Sequence, residues 1–310
     1  MKEVISVLPD ADIAQLKETY EREGFLIVDF GFPVDLLDQA SDLILNHKDW
    51  DAPTGYTKEK GVYHGARLLD AWKFNPAVKK IATFPTVLEL LKQLYGKNPL
   101  PFQTLNFPIG TEQNVHSDLI HFDCWPNDGS VCGVWLALED IDEINGPLVI
   151  YPRSHRLPEL FYINFNISNG PYAYKEYEAK LGQLVKNLGL MPRKAILKKG
   201  QALLWAGNIL HGGDAVRDKN RTRMNQATHY FFEGSEFYWT PLLSDLRRGK
   251  FFVRNPGFIP MNGNSGPTQK YSLKKQENSP QVILKEGLKK LLPPILFDVV
   301  YFLRRRSRGL

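Results

Sequence analysis

Cysteine is nearly absent from the 310 residues: there are two, Cys124 and Cys132. Two thiols cannot build a disulfide framework, and with no CxxC partner set they argue against zinc, so a reducing cytoplasm is the simple expectation. Long apolar runs are missing too. The longest apolar stretch, residues 291–303, is interrupted by Pro293, Pro294 and Asp298 and falls short of the ~18 residues read as a membrane span. No charged, then apolar, then small-residue pattern opens the chain, so no secretory leader is expected. Asn166-Ile167-Ser168 and Asn220-Arg221-Thr222 are then glycosylation sequons in form only. Neither a P-loop nor a dinucleotide fingerprint occurs. The bulk of the chain also lacks excess charge. Residues 285–310 carry seven basic and two acidic side chains, which accounts for the whole net charge of +5; the other 284 residues carry 32 of each sign. Nothing in that balance demands a basic face, so no nucleic-acid partner is expected.

What is present is ordinary globular composition, 43% hydrophobic and 24% charged, which excludes a disordered chain. Length allows two domains or one enlarged β domain. The first hundred residues read as helical around one early strand. Residues 13–23, 34–46 and 78–95 have apolar positions at helical spacing, with Gly24 and Gly96 as stops, and residues 25–30 form a β-branched run. From residue 100 the pattern changes to short β-type runs at 102–107, 131–138, 148–151, 202–205 and 224–232. Pro126-Asn127-Asp128-Gly129 and Asn145-Gly146-Pro147 supply turns between them. So many strands with few intervening helices predict an antiparallel sandwich or barrel. Residues 156–195, with a helix near 174–188, read as an insertion over one end of it. The expected organisation is one domain over 1–282, with a helical part at 1–99, a β core at 100–254 and an irregular link at 255–280. A basic apolar tail follows at 283–310.

The informative segment is Gln113-Asn114-Val115-His116-Ser117-Asp118. On a strand, residues i and i+2 share a face, so His116 and Asp118 can aim an imidazole and a carboxylate at one point. Two histidines and one carboxylate on one triangular face of a metal, with other positions open, is the arrangement of non-haem iron(II) oxygenases. A His-x-Asp triplet alone is more often a polar loop than a metal site. His211, followed by Gly212-Gly213 and separated from Asp118 by enough chain for another strand to return, offers the second imidazole. Arg223, twelve residues further on, can fork onto a carboxylate through two hydrogen bonds.

Taken together, these segments resemble the phytanoyl-CoA dioxygenase group of Fe(II)/2-oxoglutarate oxygenases. The resemblance runs over about residues 15–235 through GFLIVDF, PFQTLNF, GTEQNVHSD, CGVWLALEDIDEINGPL, YPRSH, LLWAGNILHGGD and TRMNQATHYFF. It implies a mainly β protein with flanking helices, a double-stranded β-helix (jelly roll, cupin-like). It also implies iron ligands at His116, Asp118 and His211, and a 2-oxoglutarate carboxylate anchor at Arg223, with Arg221 as the rival. Trp135 would line the cosubstrate pocket, against the alternative of a core tryptophan, and Gln103 would make a polar contact to 2-oxoglutarate. Arg153 departs from the family pattern, which often has glycine there, and puts the local turn in question.

The activity so implied is hydroxylation of an unactivated C–H bond of a small molecule, metabolite or lipid-like, using O2 and 2-oxoglutarate and releasing succinate and CO2. Asp118 argues against halogenation, because halogenating relatives have a small residue there. Desaturation, cyclisation and epimerisation use the same ligands. Two further alternatives remain: a non-catalytic jelly-roll scaffold and a zinc hydrolase. His121 and Asp123 form a second triplet of opposite strand parity, which leaves His121 on the substrate side or in a structural role. His47, His64, His155 and His229 are read as structural. Tyr162, Tyr172 and Tyr174 suit either a partly apolar ligand or ordinary packing. The tail has two readings: an apolar helix with basic flanks on an anionic membrane surface, or a helix docked on the body. The expected location is accordingly cytoplasmic, peripheral at the membrane under the first of these.

Overall fold

Local capping chemistry sets the N-terminal half. The structure, a computed structural model, describes residues 5–6, 12–46, 67–126 and 131–261. After strand β1 (Ile5–Ser6), helix α1 (Ile13–Glu23) starts where the Asp12 carboxylate accepts from the Gln15 amide at 3.1 Å. It ends at Gly24, whose φ of 82° is open to glycine and turns the chain directly into β2 (Phe25–Asp29). Helix α2 (Val34–Asn46) and the short β3 (Leu68–Leu69) follow. The single helix expected over 78–95 is two helices, α3 (Pro76–Ala82) and α4 (Pro85–Tyr95). Pro85 is the cause: it has no N–H to continue the ladder, and it pushes Phe84 to an extended ψ of 128°.

The strands then run β4 (Pro99–Phe107), β5 (Asp123–Trp125), β6 (Val131–Ala137) and β7 (Leu148–Ile150). Helix α5 (Ala173–Asn187) precedes β8 (Arg193–Lys194), β9 (Gln201–Ala206), β10 (His211–Gly213), β11 (Asn225–Phe232), β12 (Phe237–Trp239) and β13 (Val253–Arg254). One sheet has seven strands in the order β1-β2-β9-β6-β11-β4-β3, antiparallel except for β1 beside β2. Two smaller antiparallel sheets run β10-β7-β8 and β13-β12-β5.

Strand alternation gives the large sheet two buried faces. Val134, Leu136, Leu204, Tyr230 and Phe232 pack against the helices with Leu16, Leu37, Val78 and Leu90. Phe107, Trp135, Leu203, Trp205 and Ala227 point the other way, toward Leu148 and Ile150 of the β10-β7-β8 sheet. Burial on both sides is why β6 reads as an unbroken apolar run. The result is the expected jelly-roll arrangement of facing antiparallel sheets, open and not closed into a barrel.

α5 buries Tyr177, Leu181 and Val185 against Leu119, Ile120 and Phe161. The interval 156–195 is only partly an insertion, since its Arg193–Lys194 pair with β7 in the sheet. Arg153 stands where glycine is common, and it does adopt the left-handed conformation, at φ 68°. Its guanidinium is within 3.3 Å of the Glu23 carboxylate and its amide donates to the Glu23 carbonyl, which holds the turn without glycine. His47, His64 and the tail lie outside the described residues. Among the described residues, no helix is long and apolar enough to cross a membrane.

Candidate metal centre and its pocket

His116 and Asp118 are not on a continuous strand. His116 makes a two-way backbone bridge with His211, its amide donating at 2.9 Å and its carbonyl accepting at 3.0 Å. Ser117 is extended and caps a 3-10 turn of Asp118–Ile120 through its Oγ. One extended residue between bridge and turn suffices to put both side chains on one side. The bridge in turn requires the glycines after His211. A Cβ at Gly212 would lie 2.7 Å from the Gln113 carbonyl oxygen, and one at Gly213 would lie 3.0 Å from the Glu112 nitrogen. The His-Gly-Gly sequence is therefore a close-approach device as much as a ligand motif.

The three side chains converge. One ligand atom from each of His116, Asp118 and His211 lies within 4.8 Å of the others, and all three residues are buried. The Asp118 Oδ1 is 3.6 Å from His211 Nε2 and 4.0 Å from His116 Nε2. Each imidazole is fixed by its other nitrogen: His116 Nδ1 donates to the Asn114 carbonyl at 2.9 Å, and His211 Nδ1 to the Ile209 carbonyl at 3.1 Å. Both Nε2 lone pairs are thus free and directed inward. Burial, reinforced by His211, lowers the His116 pKa to about 3, so its ring is neutral and able to ligate. Burial alone would raise Asp118, but the surrounding imidazoles His211, His229 and His116 outweigh it and keep the carboxyl well below the usual range.

Asp118 divides its oxygens. Oδ1 faces the two ligand imidazoles, while Oδ2 accepts from the Trp205 indole at 2.9 Å and lies 3.4 Å from His229 Nε2. These two supports were not legible as site residues. His229, read as structural, is 4% exposed and lines the pocket. Its signal was parity, since Ala227 and His229 are spaced to share one face of β11. Trp205 gave no such signal, because its partner is 87 residues away in sequence.

The centre opens into a pocket of about 600 Å³ lined by Gln103, Trp135, Arg223, His121 and Tyr174 among others. Arg223 lies two residues before β11, is 3% exposed, and holds its guanidinium carbon 5.2 Å from the Trp135 ring centre. Its Nε has no partner among the described residues, and burial brings its pKa down to about 10, still charged at neutral pH. A buried, unpaired cation in a cavity is costly unless an anion completes it. Arg221, its rival, pairs with Asp142 at 2.6 Å and does not line the pocket. The second triplet is split. His121 lines the pocket, its Nε2 3.1 Å from the Tyr174 hydroxyl, whereas Asp123 is buried in β5 and accepts from the Cys124 amide at 2.8 Å. The parity argument fails there because the 3-10 turn, not a strand, joins the triplets. His155 is structural as expected, its Nε2 donating to the Glu21 carbonyl at 3.0 Å. Tyr162 and Tyr172 do not line this pocket.

The family model described as phytanoyl-CoA dioxygenase (PhyH) matches residues 20–224. Phytanoyl-CoA dioxygenase domain-containing protein 1 of Danio rerio is 29% identical over 179 residues, covering 54% of this chain and 57% of that protein. The peroxisomal phytanoyl-CoA dioxygenase of Homo sapiens is 25% identical over 145 residues, covering 43% and 40%. The chain spans about half the length of the curated relatives it matches. In fold it is similar to EctD from S. alaskensis, solved with 2-oxoglutarate and 5-hydroxyectoine (TM-score 0.57, 19% identity, 80% of this chain and 86% of that one). It is also similar to the α-ketoglutarate-dependent epimerase SnoN (TM-score 0.55, 17% identity, 82% and 96%).

Proposed function

Because this chain belongs to the phytanoyl-CoA dioxygenase family, we propose that it is an Fe(II)- and 2-oxoglutarate-dependent dioxygenase that hydroxylates an unactivated C–H bond of a small molecule. The observation that carries the reading is the pair of locked imidazoles whose Nε2 lone pairs meet the Asp118 Oδ1. That donor set, two imidazole nitrogens and one carboxylate oxygen, fits iron(II) and leaves positions for other ligands. Fe(II) with 2-oxoglutarate and O2 supplies the oxidation of the C–H bond, with succinate and CO2 released.

The residues of the chain divide the remaining work. His116, Asp118 and His211 hold the metal. Arg223 pairs with the distal carboxylate of the keto diacid, which satisfies its free Nε and its charge. Trp135 forms the wall beside that carboxylate, and Gln103 offers an amide further along β4. Trp205 and His229 keep Asp118 from rotating, so that it presents one oxygen. Phe122, Leu105 and Phe107 exclude water from the chemistry. An acid at position 118 fills the place a halide would need, which favours hydroxylation over halogenation.

The test is aerobic turnover with Fe(II), 2-oxoglutarate and a small-molecule library. The expected result is succinate formation coupled to a product heavier by one oxygen atom. Succinate coupled to a product lighter by two hydrogens, or unchanged in mass, would replace hydroxylation by desaturation or epimerisation. No succinate above the substrate-free rate across the library would count against the oxygenase itself.

A further inference from the structure

His121 is a pocket side chain for which the metal and its cosubstrate have no use. It closes the 3-10 turn that begins at Asp118, and its ring centre is 6.1 Å from that of His116. It also stands apart from Arg223. That guanidinium lies over Phe107 and Trp135, in the core between the facing sheets. The His121 ring adjoins Phe122 instead, and its centre is 5.2 Å from the ring of Tyr174, which α5 brings to the pocket.

Hydrogen-bond accounting fixes that ring. The Tyr174 hydroxyl has one proton to give and lone pairs with which to accept. Its proton is drawn to the Glu178 carboxylate, one turn further along α5, which also accepts from the Asn114 amide at 3.3 Å. The hydroxyl oxygen accepts from the Gln113 amide at 3.4 Å and lies 3.1 Å from His121 Nε2. With the phenolic proton committed to Glu178, Nε2 is the ring nitrogen that carries hydrogen, and Nδ1 is a bare acceptor. His121 Nδ1 has no hydrogen-bond partner among the described residues, and it is not one of the atoms closed off from solvent. It is therefore reached from the pocket that His121 lines.

Water satisfies an acceptor in an open pocket. A bound molecule that displaces the water and brings no donor leaves the acceptor unpaired and loses affinity. Among the described residues, the lining carries the charges of Arg67, Arg223 and Arg254 against that of Asp118, so a cationic donor is repelled and a neutral one is not. We propose, resting on the oxygenase reading for the reaction that follows, that His121 Nδ1 accepts a hydrogen bond from a neutral donor of the substrate, an alcohol O–H or an amide N–H. Tyr174 and Gln113 hold the ring in the tautomer that this requires. The place of His121 beside His116 puts the donor near the metal, so the C–H bond presented for oxidation belongs to a carbon close to it along the substrate.

The experiment is NMR of the full metal-free chain with nitrogen-15 in its histidines and tryptophans. The probes are cyclohexanol, N-cyclohexylacetamide and methoxycyclohexane, of which only the first two carry a donor. Before any probe is added, His121, assigned by the loss of its signals in His121→Asn, is expected as one tautomer with hydrogen on Nε2. Tyr174→Phe is expected to release it into a mixture of the two. Binding is read on the indole signals of Trp135 and Trp205, which line the pocket. At least one donor probe is expected to saturate them at about 10-fold lower concentration than the ether, and the order of the two separates an alcohol from an amide substrate. His121→Leu is expected to erase that margin, and His121→Asn, which keeps an acceptor in place of Nδ1, to restore most of it. Hydrogen on Nδ1 in the wild-type protein, equal midpoints or no saturation across the three probes, or a margin undiminished in His121→Leu would overturn the proposal. If the leucine variant does not fold, the tautomer and the wild-type margin decide. Because no iron is used, this failure is distinct from loss of the oxygenase reading, which an absent Fe(II)–2-oxoglutarate absorption band would signal.

Discussion

Asp118 is the residue on which the site turns, because its two oxygens have different tasks. Trp205 donates to Oδ2 from a fully buried indole, so Trp205→Phe removes a charge-assisted hydrogen bond without opening a large cavity. We expect Fe(II) affinity to fall about 10- to 100-fold in that variant, read by metal competition, with the fold retained. His121 provides a second prediction. Burial lowers its pKa to about 4; the Asp118 carboxylate opposes this, and Arg67, His229 and His211 add to it, while the unfolded chain titrates near 6.5. The folded state therefore binds fewer protons between these values, and stability is full above about pH 6.5 and lost as pH falls toward 4. In metal-free protein, His121→Gln should reduce the slope of unfolding free energy against pH in this window by up to about 1.4 kcal/mol per unit. An unchanged slope in urea titrations would show that His121 is not held neutral. At this scale the sequence was informative about which side chains converge and poor about their supports. His116, Asp118, His211 and Arg223 stand in the segments that carry the family resemblance and meet around one pocket, whereas Trp205 acts through a contact between distant segments.

At the scale of elements, glycine positions explain how the ligands meet. β6 and β9 pair with Gly133 opposite Trp205, and a Cβ at 133 would lie 2.3 Å from the indole. The glycine is the space in which Trp205 lies flat to reach Asp118. Gly133→Ala should therefore lower the melting temperature and weaken Fe(II) binding at least as much as Trp205→Phe, although residue 133 touches no ligand. Metal affinity equal to wild type would mean that the indole can be displaced without consequence. Periodicity placed most of the helices and strands it identified within a residue or two of their observed ends, because amphipathic spacing and glycine stops are local signals, but it did not find the short strands β1, β3, β5, β8, β10, β12 and β13. It failed where the chain changes conformation within a few residues. Pro85 divides one apparent helix, and Ser117 joins a bridge to a 3-10 turn inside an apparent strand.

At the scale of the molecule, three layers explain why the pocket lies where it does. Helices α1 to α4 cover one face of the seven-stranded sheet and leave the other face to meet the smaller sheets. The pocket opens on that inner face, where Trp135, Ala227 and Gln103 alternate with residues packed on the helices. The fold class was legible from the count of short strands and from the resemblance; the open edge of the sheets was not, since sheet closure depends on pairing between distant strands. The central claim is that one Fe(II) is held by His116, Asp118 and His211 with 2-oxoglutarate completing its sphere. Anaerobic titration of Fe(II) into protein with excess 2-oxoglutarate tests it directly. The account predicts a weak visible charge-transfer band that saturates at one iron per chain and is lost in Asp118→Ala and His211→Ala. No band in the wild-type protein, or an undiminished band in both variants, would contradict it.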